Sequence, residues 1–219
     1  MLFTAAKQRF VAGVLDATAS KVGDSPATRA KVELNRVKAA RQADGAATAH
    51  NDADTLFGQA HAALSAQPRR VFLARNQGWA VAFAGEGGED VGGLFRETLQ
   101  HFAEELQSSA LSLLVPTPNG ANNVGQNREQ WVPNPAATST AQMAMFRFLG
   151  RMLGVALRTQ NHLSVNLPSL VWRYLVGERI TIDDLRAIDT MCVQSLDALR
   201  SLRPVDSSTV VGDDADADG

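Results

Sequence analysis

Between Gly85 and Glu97 the chain reads Gly-Glu-Gly-Gly-Glu-Asp-Val-Gly-Gly-Leu-Phe-Arg-Glu, so acidic side chains and one arginine crowd a glycine-rich turn. A turn of this kind leading into a helix can cradle a phosphate, whose oxygens need an open row of backbone N–H donors and commonly a Lys followed by Ser or Thr. Here Glu86, Glu89 and Asp90 would repel a phosphate, and no Lys-Ser or Lys-Thr follows. The same residues suit local structure better. Asp90 stands where its carboxylate can accept hydrogen bonds from the free N–H groups of a helix start. Gly92 and Gly93 let the chain pass close to a neighbour before that helix begins at Leu94. Arg96 and Glu97 fall on its first turn, and Arg96 is expected to form a partly buried ion pair with Asp90 or Glu89 that fixes the turn.

The other group with nucleophilic potential is the single thiol, Cys192. A catalytic cysteine must be accessible and activated by its neighbours. Cys192 lies in a helical pattern with Leu185, Ile188, Leu196 and Leu199, and is therefore expected to be a buried, inert core residue of a helix running from Thr181 to Leu202. One cysteine excludes an internal disulfide framework and fits a reducing compartment, cytoplasmic or nuclear. His50, His61, His101 and His162 are scattered without a close ligand pair, so no metal site is expected. Ser108-Ser109 and Ser207-Ser208 lack the glycines of a nucleophile elbow. Trp79, Trp131 and Trp172 read as core or hairpin anchors, because no basic stripe accompanies them as nucleic-acid binding would require. The clusters Arg36, Lys38, Arg41 and Arg69-Arg70 read as solvated faces. A formal net charge of −2 gives no general attraction to nucleic acid or anionic membrane, and no apolar run is long enough to span a bilayer.

The elements that must position these groups follow from periodicity. Trp79, Val81 and Phe83 alternate with small residues, which predicts a strand before the acidic turn. Phe95, Leu99, Phe102 and Leu106 predict a helix over Leu94–Gln107 with one apolar face. Leu111–Val115 and Trp131-Val132 are expected to pair as a hairpin, with Asn119-Gly120 as turn chemistry between them. Ala141–Thr159 reads as a buried helix with Met143, Phe146, Leu149, Leu153 and Leu157 inward. Gly150 and Gly154 within it suggest a closely packed neighbour. Ser169–Val176 is a short helix, and Thr181 caps the next with Asp184 in the reciprocal position. Upstream, Met1–Ala19 and Thr55–Ala66 read as helices, and Val32 and Leu34 as a short strand. The expected organisation is an N-terminal extension over 1–43, a disordered linker over 44–54, a folded region over 55–203 and a disordered acidic tail over 204–219.

The acidic turn resembles the signature that opens the N-terminal lobe of HECT-type ubiquitin ligases, in which a strand ends in an acidic, glycine-containing turn and D-x-G-G-x-x-R-E enters a helix. The resemblance continues in family order through PTPNG at Pro116–Gly120, GQNREQWVPNP at Gly125–Pro135, the stretch Phe146–Glu178 and ITIDDLRAID at Ile180–Asp189. It covers Trp79 to about Leu202, and VELNRVKAAR at Val32–Arg41 is similar to the strand before that core. The HERC-like subset is resembled in particular.

This resemblance implies an α+β, predominantly helical fold: the large subdomain of a HECT N-lobe with short strands and a hairpin. It implies transfer of ubiquitin from a conjugating enzyme, through a cysteine thioester, to a substrate lysine, with no metal or organic cofactor. The family's cysteine stands in a Thr-Cys-Phe-like context in a separate C-terminal lobe; no such context occurs here, so the acceptor is expected to be absent and this chain inactive alone. The docking subdomain for the conjugating enzyme, placed by the family after about Leu202, is expected to be missing too. Asp90, Gly92, Gly93, Arg96 and Glu97 then read as structural signature residues, with a role for Arg96 in organising the lobe interface as the lesser reading. Two competing readings remain. One is a catalytically dead scaffold that binds partners of the ubiquitin pathway. The other is a plain helical adaptor with an accidental resemblance, which predicts continuous helix in place of the strand at Trp79–Phe83 and of the hairpin.

Overall fold

The computed structural model describes residues 2–21, 29–43, 51–88 and 90–202; the side chains of residues 2, 3 and 43 lie outside that description, as do His50, Glu89, most of the expected linker and the acidic tail. The elements are α1 Leu2–Ala17, β1 Ala30–Leu34, α2 Arg36–Ala43, α3 Leu56–Ser65, β2 Trp79–Phe83, α4 Gly93–Leu106, β3 Leu114–Pro116, α5 Pro118–Ala121, β4 Trp131–Pro133, α6 Thr140–Thr159, α7 Ser169–Leu175, α8 Ile182–Arg186 and α9 Thr190–Ser201. The fold is α+β and mostly helical. Two units partition the chain: residues 1–116 with 129–168, and residues 117–128 with 169–219.

The first unit is built around aromatic side chains. Phe57 of α3 meets Phe102 of α4 edge-on at 5.4 Å and Phe148 of α6 at 5.2 Å, and all three are fully buried. Such pairs add to the area they bury because ring edge and ring face carry opposite partial charge. The apolar stripe of α4 is the predicted one: Phe95, Leu99, Phe102 and Leu106 are all buried. β2 occupies Trp79–Phe83 with Trp79, Val81 and Phe83 inward, and Trp79 packs on Phe95 at 5.1 Å. It pairs in parallel with β1, Val32 opposite Val81 and Leu34 opposite Phe83. The segment expected to be an upstream extension thus supplies half of this sheet. β3 and β4 form the predicted antiparallel hairpin, with Val115 opposite Val132. Strand and hairpin together rule out the adaptor reading with continuous helices.

Several expectations fail for identifiable reasons. α6 buries Met145, Phe148, Leu149, Met152, Val155 and Ala156, while Met143 and Leu157 are exposed. This helix is apolar around much of its circumference, so periodicity alone does not set its phase. Gly150 and Gly154 have no neighbour within 4 Å of the position a Cβ would take, so no close packing explains them. Residues 51–54, expected to be disordered, form a 3-10 turn: Asn51 caps it, and the Asp52 carboxylate accepts from the backbone N–H and hydroxyl of Ser112. α1 is fastened near its C-terminus, by Asp16 to Arg75 at 3.0 Å and by Leu15 O to Arg158 at 2.9 Å, but Phe10 and Val14 on its apolar face are exposed.

The second unit is organised by one polar side chain. Asn119, entirely buried at the start of α5, donates through Nδ2 to Gln126 O at 3.0 Å and Ala187 O at 3.2 Å, and accepts from Thr190 N–H at 2.8 Å. Asn127 also donates to Ala187 O, at 3.0 Å. Gly125 closes this loop at φ +64°, where a Cβ would stand 2.4 Å from Thr190 Oγ1. Asn119-Gly120 is therefore not a simple hairpin turn but part of a one-turn helix capped by Thr117. The helix expected to run unbroken from Thr181 is split into α8 and α9. At the break the Ala187 carbonyl is taken by the two asparagines, and Asp189 caps the new helix by accepting from Cys192 N–H at 2.9 Å.

Candidate functional site

The acidic turn is assembled by the edge of β2 and the first turn of α4. Asp90 is buried and its carboxylate is fully engaged. Oδ2 accepts from the Gln77 side-chain amide and from Val81 N–H at 2.9 Å; Oδ1 accepts from Gly92 N–H at 2.8 Å and more weakly from Phe95 N–H at 3.4 Å. One side chain thus satisfies an outward-facing strand amide and the orphan donors of a helix start, which is the arrangement expected of a buried carboxylate. Gly92 serves as N-cap at φ +106°, a conformation that L side chains rarely adopt. Gly93, by contrast, has no neighbour within 4 Å of a Cβ position, so the expected close approach is not present there.

The expected ion pair of Arg96 with Asp90 does not form. Arg96 is exposed, and its Nε donates to Gly92 O at 3.1 Å, clasping the first turn from outside. Burial of Asp90 behind backbone donors leaves it no room for a guanidinium, and Glu89 lies outside the described residues. The cation that serves the acidic turn is Arg36 of α2, which the sequence suggested was merely solvated. Its guanidinium sits 3.5 Å over the Phe83 ring, 3.4 Å from Glu86 and within hydrogen-bond distance of Glu97. Glu97 is therefore an ion-pair partner rather than an acid poised for chemistry.

A second carboxylate escaped the sequence reading. Glu105, on α4, accepts from Leu56 N–H at 2.7 Å and Phe57 N–H at 2.8 Å, capping α3 from a neighbouring helix. Burial pushes its carboxyl above the usual range, only partly opposed by those two amides. Asp184 in the second unit behaves oppositely: hydrogen bonds from the Thr181 N–H and hydroxyl, with Arg173 nearby, hold it below the usual range. His61 is lowered by burial and by Arg151, and its ring packs on Phe148.

Cys192 is not the core residue the periodicity suggested. It is exposed, on the first turn of α9. The break after α8 rotates the second half of the expected stripe, so Val193 takes the inward position and Cys192 turns to solvent. Among the described residues no group of three or more His, Cys, Asp or Glu is placed to hold a metal ion. No helix is long and apolar enough to cross a membrane among the same residues.

The protein is similar to known ones over much of its length. A family profile, HECT-domain (ubiquitin-transferase), matches residues 98–211, starting directly after the acidic turn. E3 ubiquitin-protein ligase HERC2 of Mus musculus and of Homo sapiens are each 38% identical over 170 residues, which is 77% of this chain and 4% of theirs. Probable E3 ubiquitin-protein ligase HECTD4 of Homo sapiens is 34% identical over 112 residues, 51% of this chain and 3% of its own. The chain thus spans a small fraction of the length of these relatives.

Proposed function

The chain belongs to the HECT-domain (ubiquitin-transferase) family, and from that premise we propose that its residues 55–202 are the large helical part of an N-terminal lobe within a cytoplasmic ubiquitin-protein ligase. The reaction is that of the family: a conjugating enzyme delivers ubiquitin as a thioester to a ligase cysteine, and the acyl group passes to a lysine amine of a protein substrate. No metal or organic cofactor takes part. This span serves as the rigid base of that machinery and not as its acyl carrier. The supporting observation is Asp90. A carboxylate offers about four lone-pair sites, and here four donors occupy them, two on each oxygen. Nothing is left with which to polarise or deprotonate a substrate.

On this reading Asp90, Gly92 and Glu97 hold β2, the turn and α4 in register, Arg96 clasps the helix start, and Cys192 does not carry ubiquitin. A second reading, a non-catalytic scaffold for partners of the pathway, draws on the exposed apolar side chains between Trp172 and Leu202. A segment exchange separates the two. Residues 79–202 replace the matching part of the HECT region in the mouse relative, and thioester formation and ubiquitin chain assembly are measured. A lobe base supports both, with and without Cys192→Ala. A folded chimera that binds the conjugating enzyme but never forms the thioester contradicts this reading and favours the scaffold.

A further inference from the structure

Asn119-Gly120 is the one Asn-Gly pair in the chain. In such a pair the glycine nitrogen can attack the asparagine side-chain carbonyl carbon, because glycine has no side chain to hinder the approach. A bond forms between Gly120 N and Asn119 Cγ, and the Cγ–Nδ2 bond breaks. The side-chain nitrogen leaves as ammonia, taking the proton that Gly120 N gives up. One water then opens the cyclic imide, at one carbonyl to aspartate and at the other to isoaspartate.

The folded second unit holds the reacting groups apart from that course. Asn119 is wholly buried, with Nδ2 donating to Gln126 O and Ala187 O and Oδ1 accepting from Thr190 N–H at 2.8 Å. The attacking nitrogen is occupied as well, since Gly120 N–H donates to the Thr117 hydroxyl at 3.1 Å. Both residues lie in the one-turn helix α5, and a Cβ on Gly120 would stand 2.3 Å from Arg128 O. Ring closure requires these bonds to break together, which confines it to openings of this region. The product does not fit back. A carboxylate still accepts from Thr190 N–H but offers no donor to Gln126 O and Ala187 O, which would then face a buried negative charge. Isoaspartate also lengthens the main chain by a carbon, inside a loop closed by Gly125 at φ +64°.

We propose that Asn119 is a spontaneous deamidation site, silenced by the fold, through which opening of the second unit becomes irreversible. The inference concerns covalent ageing of this unit and stands whether the chain serves as a lobe base or as a scaffold.

The test incubates the intact chain in mildly alkaline buffer, with and without unfolding urea, and locates the amide-to-acid conversion by peptide mapping in a mass spectrometer. Asn119 should convert at least about tenfold faster in urea than in buffer, and Gly120→Ala should slow the reaction in urea, where folding plays no part. Thr190→Pro removes the N–H that Asn119 accepts, at a first helical position where proline is tolerated. It should speed conversion of the folded chain about tenfold, as loss of one buried hydrogen bond implies, with circular dichroism confirming the fold. The wild-type comparison decides by itself if that variant does not fold. Deamidated chain returned to buffer should lack hydrogen-exchange protection at the start of α9, as Asn119→Asp should. The proposal is overturned if Asn119 survives in urea, converts as fast in buffer, or converts in urea regardless of Gly120→Ala. It is equally overturned if folded Thr190→Pro converts at the wild-type rate, or if deamidated chain regains full protection.

Discussion

The two units solve the problem of cohesion differently. In the first, large aromatic residues from distant parts of the chain meet in the interior, and polar groups close over them: Glu105 caps α3 from α4, and Arg36 ties the acidic turn to α2. In the second, few large side chains are fully buried, an asparagine holds the centre, and Trp172, Tyr174, Leu175, Val176, Met191, Leu199 and Leu202 are exposed. The first unit carries its own core; the second is a platform held by hydrogen bonds.

The sharpest break in that comparison comes from paired truncations. Phe57→Ala should lower unfolding free energy by about 3–5 kcal/mol, whereas Leu199→Ala should change it by less than about 0.5 kcal/mol; urea denaturation reads both. Equal losses would show that the second unit has a core of its own. Next in size, Asn119→Ala should cost about 2–3 kcal/mol, because Thr190 N–H, Ala187 O and Gln126 O lose a partner together. The effect should localise to faster hydrogen exchange at the start of α9. Within the acidic turn, Asp90→Ala should cost about 2 kcal/mol, and Arg96→Ala about 0.5 kcal/mol or less, since one is buried among donors and the other clasps from outside. A larger loss for Arg96 would restore the ion pair that the sequence suggested.

The smallest effects are in pH dependence, and the units should differ in sign. Asp184 titrates below its unfolded value of about 3.9, so its stabilisation is present above that pH and is lost as pH falls through the folded value. Glu105 titrates above its unfolded value of about 4.3, so its contribution is greatest below that and diminishes as pH rises through the raised value. Asp184→Asn should flatten the acid limb of exchange protection in α8, and Glu105→Gln the opposing slope in α3. Slopes of the same sign in both would refute the assignment.

How much of this was legible in the sequence depended on whether the relevant signal was local. β2, the α4 stripe, the hairpin and the Thr181–Asp184 capping box are written in alternation, helical spacing or adjacent residues, and each appears where it was expected. What escaped is tertiary. Arg36 is far from Glu86 and Glu97 in sequence, Glu105 caps a helix that begins at Leu56, and Asn119 takes the Ala187 carbonyl at a helix break that Asp189 caps locally. Cys192 was misplaced because the expected stripe was read through that break, whereas Val193 is the inward residue of α9. Its exposure removes burial as the argument against its carrying an acyl group.

The most direct measurement is a charging reaction on the intact chain with activating enzyme, conjugating enzyme and ubiquitin, resolved on non-reducing gels, alongside maleimide labelling of the native protein. Cys192 should be labelled promptly, yet no reductant-sensitive ubiquitin adduct should form on it. A reductant-sensitive adduct that disappears in Cys192→Ala would contradict the account, since the exposed thiol would then be the carrier and α9 part of the catalytic machinery.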